Sequence, residues 1–323
     1  MPATGYHDAI ASALRVIARA AVLSTTLIVG AAGSLMAQTA GIDPRAKEPD
    51  SIFKGTMADM TYPQYEDAVK SGAIAIWALG VIEEHGPHLP LGTDVYVPAK
   101  TIEMVRQELS GANIKSVVVP AFYWGVNQVT GAFPGSFNIR PEVMSELMLD
   151  VFKSLKKDGL TKVFCISGHG DIAHNRAIYE GVRRGRADAA LAGLDIRFVA
   201  DPFLVQRLAL EKSNEAFALT PEGPAPPASP YFDVHAGTGE TSMLWAAAPS
   251  LVATEMLPTL KPNLIDAVAL AEWRKGGESA RKITPGGYTG DPSKASAELG
   301  ARLLANRAKA LAQGIRDQVA PGK

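Results

Sequence analysis

Residues 73–94 read AIAIWALGVIEEHGPHLPLGTD, a short apolar run followed by a polar loop. The run, residues 73–79, is nearly unbroken, which is typical of a strand buried on both faces of a parallel sheet. Glu83 and His85 follow the run closely, and the loop ends at Asp94. The stretch therefore predicts an internal parallel strand whose carboxyl end carries acidic and imidazole side chains.

The same alternation of strand and helix continues along the chain. Similar apolar runs predict strands at residues 116–122, 162–166 and 196–200. Apolar residues at three- and four-residue spacing predict helices at about 97–109, 141–157 and 172–187, and an alanine-rich amphipathic helix at 295–314. In the second of these helices the stripe is Val143, Leu147, Val151 and Leu155. Strands that alternate with helices predict an α/β fold with a mostly parallel central sheet, covered on both faces.

Composition excludes several classes of protein. The 323 residues are 47% hydrophobic and 20% charged, as in an ordinary globular protein. The net charge of −1 and the absence of a basic run give no basis for nucleic-acid binding. The single cysteine, Cys165, rules out an intrachain disulfide, and its apolar neighbours predict a buried, inert thiol.

The N-terminal segment has the pattern of an export signal. Arg15 and Arg19 precede an apolar stretch, residues 20–37, which ends in small side chains. We interpret residues 1–37 as a cleaved signal peptide, with a retained membrane anchor as the alternative, and 38–50 as a linker. The remaining residues, 51–323, are predicted to form one domain of an exported, periplasmic protein.

Five of the six histidines lie in three short clusters that also carry carboxylates. The clusters are Glu83-Glu84-His85-Gly86-Pro87-His88 with Asp94, His169-Gly170-Asp171 with His174, and His235 with Glu240. The first two directly follow predicted strands, and loops at the carboxyl ends of parallel strands converge on one edge of the sheet. Imidazole and carboxylate together suit zinc and similar divalent ions, so the clusters predict a metal centre.

Other roles for these residues remain open at this stage. The loop before Asp94 also fits a polar cap for the next helix, and Thr238 with Glu240 fits an N-cap and first turn. No Gly-x-Ser-x-Gly elbow, phosphate-binding loop or dinucleotide fingerprint is present in the sequence. A divalent ion that lowers the pKa of bound water to about 7 is the remaining route to hydrolysis. His235, if it is not a ligand, is the candidate acid for the leaving group.

The motifs together resemble the creatininase (creatinine amidohydrolase) family. The segment from Glu83 to Asp94 closely resembles the signature loop of that family. Later motifs follow in the same order: Phe133-Pro134-Gly135, Ser167-Gly168-His169-Gly170, His235-Ala236-Gly237-Thr238-Gly239-Glu240-Thr241-Ser242, and the glycine-bounded stretch 287–300. The resemblance spans nearly all of the chain after the N-terminal segment.

The resemblance implies a three-layer α/β/α sandwich, often assembled into hexamers, that hydrolyses a C–N bond with two divalent ions, zinc or manganese. By position, one ion has ligands Glu83, Asp94 and His169, and the other has His85 and the bridging Asp94. The last acidic ligand is either Asp171 or Glu240, with Glu240 slightly favoured. His235 resembles the histidine that shuttles protons.

Several positions depart from the family pattern. Glu84 stands where glutamine is common, Thr130 where many members carry histidine, and Asp171 opens what resembles a two-residue insertion. The proline-rich stretch before His235 is also unusual, so creatinine itself is not the favoured substrate. We interpret His88 and His174 as structural, and list Tyr123 and Trp124, which follow a strand, as candidate substrate-binding residues.

These observations lead to one main hypothesis and two alternatives. The main one is an exported, metal-dependent amidohydrolase, a homo-oligomer, acting on a small amide, a cyclic amide or a short peptide. The first alternative is a non-catalytic envelope protein that binds metal or a ligand. The second is hydrolysis of an ester or lactone at the same centre.

Overall fold

The computed structural model describes residues 52–223 and 229–319. The predicted signal peptide, its membrane-anchor alternative and the linker at 38–50 lie outside these residues. In the described part, no helix combines the length and the apolar character that crossing a bilayer requires.

Five parallel strands form the central sheet. They are β1 Ile74–Leu79, β2 Ser116–Phe122, β3 Lys162–Ser167, β4 Asp195–Ala200 and β5 Phe217–Leu219. Their order is β2-β1-β3-β4-β5, so the chain leaves β1 toward one edge and then crosses back to continue on its other side. This strand order places a topological switch point between β1 and β3, where open α/β sheets bind ligands.

Helices cover both faces of the sheet and extend beyond it. They are α1 Tyr62–Lys70, α2 Thr93–Gly111, α3 Pro141–Lys157, α4 Ile172–Ala187, α5 Pro202–Arg207, α6 Thr238–Ala247, α7 Ala267–Trp273, α8 Gly277–Ile283 and α9 Ala297–Val319. Short 3-10 turns lie at Met57–Asp59, Ala189–Leu191, Pro249–Leu251, Leu257–Thr259 and Pro292–Lys294.

Alternate residues of β1 build two separate cores. Ala75 and Trp77 point into a core shared with α3 and α4, whereas Ile74 and Ile76 point into a core shared with α2 and α9. Both sets are buried, as the period of two along a strand requires. The architecture is therefore the predicted three-layer α/β/α sandwich.

The predicted strands and the main helices are confirmed, with ends that shift by a few residues at most positions. The strand β5 was missed because its three residues give no periodic signal. The stripe chosen for α3 was partly wrong. Val143 and Leu147 are exposed, and the helix instead buries the stripe that starts at Met144 and continues through Met148 and Phe152.

Cys165 lies in the middle of β3 and is fully buried, as predicted. Burial raises the pKa of its thiol, because the charged thiolate is poorly solvated there. The residue therefore packs as a small apolar side chain and is not available as a nucleophile at neutral pH.

The first turn of α2 packs directly against the ends of β1 and β3. A Cβ atom at Gly80 would lie 2.0 Å from the backbone oxygen of Asp94, and one at Gly168 would lie 2.7 Å from the same atom. Only glycine leaves room for this approach. The two glycines therefore fix where α2 begins, and with it the position of the Asp94 side chain.

We expect Gly80→Ala to destabilise the protein by about 1–3 kcal/mol, because the new methyl group overlaps backbone that cannot rotate away. Gly111→Ala is the matched control on α2, since a Cβ there meets nothing within 4 Å. Urea denaturation of both variants measures the difference. Equal free energies of unfolding would contradict the close approach described here.

Candidate metal centre

The three sequence clusters meet at the switch point between β1 and β3. Glu83 and His85 follow β1, Asp94 lies in the first turn of α2, and His169 follows β3. Glu240 comes from the first turn of α6. Four of these residues, Glu83, Asp94, His169 and Glu240, line a cavity of about 1830 Å³.

Asp94 is shared by two groups of potential ligands. In the first, His169 Nδ1 lies 2.7 Å from Asp94 Oδ2 and 3.0 Å from Glu83 Oε1. In the second, His85 Nε2 lies 3.5 Å from Asp94 Oδ1 and 3.6 Å from Glu240 Oε2. The two oxygens of one carboxylate thus face different histidines, as a bridging ligand requires. In each group the candidate ligand atoms all lie within 4.8 Å of one another.

The donor atoms fit divalent cations. His85 Nδ1 lies 3.1 Å from the carbonyl oxygen of Glu83 and donates to it, which directs Nε2 toward the carboxylates. Among the residues that the structure describes, the buried His85 Nε2 has no hydrogen-bond partner. Buried polar atoms are rarely left unpaired, so this nitrogen, surrounded by carboxylate oxygens, has the arrangement of a metal ligand. Nitrogen and oxygen donors without sulfur suit zinc and manganese.

The electrostatics of the cluster also favour bound positive charge. Burial would lower the pKa of His85, but Glu240, Asp94 and Glu83 raise it to about 10. Burial opposes the shift at His169 too, yet Glu83 and Asp94 hold its pKa well above the usual value. Buried carboxylates that lie this close together need positive charge beside them. Without a metal ion, protons on the neighbouring histidines supply that charge.

Glu240 and Asp171 were the alternatives for the last ligand, and the structure brings only Glu240 to the cluster. Burial raises the pKa of Glu240, and its Oε2 also accepts a hydrogen bond from Ala236 N at 2.7 Å. Asp171 instead caps α4, with Oδ1 2.7 Å from Ala173 N. Its Oδ2 accepts from the backbone amides of Gln128 and Val129 at 2.7 and 3.1 Å. Both oxygens are thus committed to backbone amides.

His235, the predicted proton carrier, lies on the cavity wall beside the cluster. Its Nε2 lies 2.9 Å from the carbonyl oxygen of Glu84 and 3.2 Å from Glu84 Oε1, so Nε2 carries a hydrogen and donates it. Its Nδ1 faces Glu83 Oε1 at 3.9 Å. Burial would lower the pKa of His235, but Glu83 and Glu84 raise it. Since Glu83, His85 and His235 also form a third close group, the geometry permits a ligand role as well.

Thr130 is a contact of the cluster that the sequence did not identify. Its hydroxyl group hydrogen-bonds Glu83 Oε2 and lies 2.9 Å from Asn127 Oδ1. The amides held by Asp171 belong to the same loop, so Asp171 acts on the cluster indirectly, by fixing the loop that orients Glu83. The sequence marked position 130 only by its threonine in place of the histidine common in the family. It did not indicate that this side chain contacts Glu83.

The two remaining histidines of the clusters are structural, as predicted. His174 donates from Nε2 to Leu79 O at 3.0 Å and accepts at Nδ1 from Val126 N at 3.3 Å. His88 Nε2 lies 3.1 Å from Ala236 O and donates to it. Burial lowers the pKa of His88 to about 4 and that of His174 to about 3, so both rings are neutral.

The structure does not bring Tyr123 and Trp124 to this cavity. Tyr123 packs beside the core of the α2 face, and Trp124 is 44% exposed and stacks on Phe137 with ring centroids 5.5 Å apart. Neither lines this cavity in the described part of the chain, and their role in substrate binding stays a prediction. The aromatic side chain that the wall does contain near His235 is Trp273, 5.8 Å away between ring centroids.

The cavity wall also contains Arg207, Arg274 and Arg307, which the sequence analysis did not single out. They come from three separate elements: the end of α5, the residue after α7, and the middle of α9. No local motif links them, because their proximity depends on the tertiary fold.

Comparison with known proteins gives a consistent set of relatives. Creatinine amidohydrolase of Pseudomonas putida is 24% identical over 287 residues, which cover 84% of this chain and 98% of the relative. A mycofactocin precursor peptide peptidase of Mycolicibacterium smegmatis is 27% identical over 239 residues, covering 74% and 82%.

Solved structures of creatininases share the fold. One crystal structure of creatinine amidohydrolase (creatininase) matches with a TM-score of 0.61 at 21% identity, over 83% of this chain and 98% of that one. The Mn form of creatininase matches with a TM-score of 0.60 at 20% identity, over 83% and 99%. The family model for creatininase (creatinine amidohydrolase) matches residues 58–315. The chain therefore belongs to the creatininase family.

We expect Asp94→Asn to reduce bound metal from two ions per chain to fewer than one, because both ligand groups lose their shared carboxylate. Elemental analysis after dialysis against zinc or manganese measures the content. Asp150→Asn, at an exposed acid on α3, is the control and should retain both ions. An Asp94→Asn protein that keeps two ions would contradict the bridging arrangement.

Metal binding should release protons at neutral pH. The raised pKa values mean that His85 and His169 are protonated in the metal-free protein, and a ligand nitrogen must lose its proton to bind. We expect about two protons released per chain at pH 7, and an apparent metal affinity that falls as the pH is lowered. Calorimetric titration in buffers of different ionisation enthalpy counts the protons. Binding without proton release would rule out these two histidines as ligands.

Proposed function

We propose that this member of the creatininase family is a divalent-metal-dependent amidohydrolase that cleaves a C–N bond of a small amide, a cyclic amide or a short peptide. The observation that supports the proposal most strongly is the Asp94 carboxylate, shared by two histidine-containing groups on the wall of one large cavity. Membership of a hydrolase family gives independent support.

Two divalent ions are the proposed cofactors. Glu83, Asp94 and His169 would hold one ion, and His85, Asp94 and Glu240 the other. Such ions, when bound, lower the pKa of water to about 7 and polarise the substrate carbonyl. Solved creatininases include an Mn form and a Zn–Zn form, which supports these two metals as candidates.

His235 is the proposed proton carrier. Because Glu84 holds its Nε2 hydrogen, Nδ1 is the nitrogen left to accept a proton from the attacking water. The same Nδ1–H then donates to the leaving nitrogen as the C–N bond breaks, which restores the neutral ring. Trp273 packs near the ring and Glu84 fixes its tautomer, so the imidazole has little freedom to turn.

The cavity supports substrates larger than creatinine. Its volume of about 1830 Å³ exceeds the range of about 300–1,000 Å³ usual for small-ligand pockets. The relatives include both a creatinine amidohydrolase and peptidases of a peptide precursor, so the family fold serves both kinds of amide. We infer a short peptide or a substituted amide as the substrate, in preference to creatinine.

We also propose that the protein is exported to the periplasm and forms homo-oligomers. The basic and apolar pattern of residues 1–37 supports export. A fusion of alkaline phosphatase to residue 50 tests it: phosphatase activity is expected, and its absence would contradict export.

Light scattering on the purified domain measures the assembly, and a monomer would contradict the oligomer.

We expect His235→Gln to lower kcat for a C–N substrate by about 10²–10⁴-fold while both metal ions remain bound. A screen of cyclic amides, including creatinine, and of short peptides supplies the substrate. Loss of an ion in His235→Gln would assign His235 as a ligand instead.

Matched amide and ester substrates, assayed with the same preparation, separate C–N hydrolysis from ester or lactone hydrolysis. We expect turnover of the amide that depends on added metal. A metal-loaded protein that turns over neither substrate class would favour a binding role over catalysis.

A further inference from the structure

Three arginines on the cavity wall have no part in the proposed reaction. Among residues 52–223 and 229–319, Arg207, Arg274 and Arg307 form no ion pair with a carboxylate, although all three line the cavity. Of the other cations of this wall, Arg184 lies 2.5 Å from Glu146 and Lys212 lies 3.1 Å from Glu222. Arg176 donates from Nη2 to the carbonyl oxygen of Leu208 at 2.9 Å. Within the described residues, the three arginines therefore line a substrate-sized space without a carboxylate in ion-pair contact.

Most of their hydrogen-bond donors are uncommitted within the described residues. Arg307 uses Nη2 on the carbonyl oxygen of Ser167 at 3.0 Å. The guanidinium carbon of Arg207 lies 5.9 Å from the centroid of the Phe203 ring, a contact that takes up no N–H donor. A guanidinium carries five N–H donors, so these groups have ample capacity for an anion.

Arg207, Arg274 and Arg307 line the same cavity as the Asp94 carboxylate. Burial and then the charge of Arg274 lower the pKa of Arg207, and Asp201 influences both Arg207 and Arg307. The negative charge of Asp94 raises the pKa of Arg307, so this arginine lies on the side of the metal centre.

The nearby acids act on these arginines only from a distance: the charges of Asp201 and Asp171 raise the pKa of Arg207, and those of Asp94, Glu240 and Asp201 raise that of Arg307, both against the lowering effect of burial. Asp201 caps α5 through Leu204 N at 2.8 Å and forms no ion pair with the arginines within the described part of the chain. Asp171 has both oxygens on backbone amides, as described above. A bound carboxylate would supply the ion-pair contact that these arginines do not make with the wall itself.

We propose that Arg207, Arg274 and Arg307 form an anion site that receives a carboxylate of the substrate while the scissile amide faces the Asp94 centre. This inference rests on the proposed hydrolytic function and narrows its substrate class to carboxylate-bearing amides, such as peptides with a free C-terminus. The planar guanidinium donates two parallel hydrogen bonds to the two oxygens of a carboxylate. A neutral amide has only one oxygen and cannot accept this pair.

Binding of inert acids tests the site without turnover. Metal-loaded protein is titrated calorimetrically with dicarboxylates from glutarate to suberate and with monocarboxylates of the same chain lengths. One carboxylate can occupy the metal centre, and only a diacid also reaches the arginines. We expect the best diacid to bind at least about tenfold more tightly than its monoacid, as for a hydrogen-bonded charge pair.

Arginine variants test whether these side chains cause the tighter binding of the diacid. The double variant R207Q/R274Q should lose most of the diacid preference, and R207K/R274K should keep part of it because charge remains without the bidentate geometry. R302Q is the matched control on α9, since Arg302 pairs with Glu298 at 2.7 Å outside the cavity. Thermal denaturation of each variant checks folding.

The outcomes separate this inference from the proposed function. An equal affinity for diacids and monoacids, or a preference unchanged in R207Q/R274Q, would overturn the anion site whatever the protein hydrolyses. A preference that R207Q/R274Q abolishes would support the site even if no amide is turned over.

Discussion

The shared carboxylate of Asp94 is the constraint on which the rest of the site depends. Its position follows from the backbone, because Gly80 and Gly168 let the first turn of α2 lie against the ends of β1 and β3. From there its two oxygens reach His169 on one side and His85 on the other. A helix that started half a turn later would present this carboxylate to neither histidine.

The cost of this arrangement is buried negative charge. Carboxylates gathered away from water are unfavourable unless cations neutralise them, and the raised pKa values of His85 and His169 show how strongly the cluster attracts positive charge. A divalent ion neutralises more of this charge than a proton does, and it contacts several ligand atoms at once.

Much of the fold could be predicted from the sequence, since buried strands of a parallel sheet leave unbroken apolar runs, as at residues 73–79. The convergence of the first two clusters also followed, because carboxyl ends of parallel strands share an edge. The third cluster, His235 with Glu240, follows no predicted strand, and the tertiary fold brings it to the site. The choice between Asp171 and Glu240 as the last ligand could not be predicted, since each acid lies a few residues after a histidine. It was decided by backbone hydrogen bonds to Asp171: Oδ1 accepts from Ala173 N, and Oδ2 accepts from the amides of Gln128 and Val129. The arginine region and the exposed position of Trp124 likewise depend on tertiary packing, which local spacing does not encode.

Anomalous diffraction from crystals of the metal-loaded protein, recorded at the zinc and manganese edges, tests the central claim most directly. The account predicts two peaks about 3.5–4 Å apart, with Asp94 in contact with both, Glu240 beside one and Asp171 beside neither. A single peak, or a pair that Asp94 does not bridge, would contradict it.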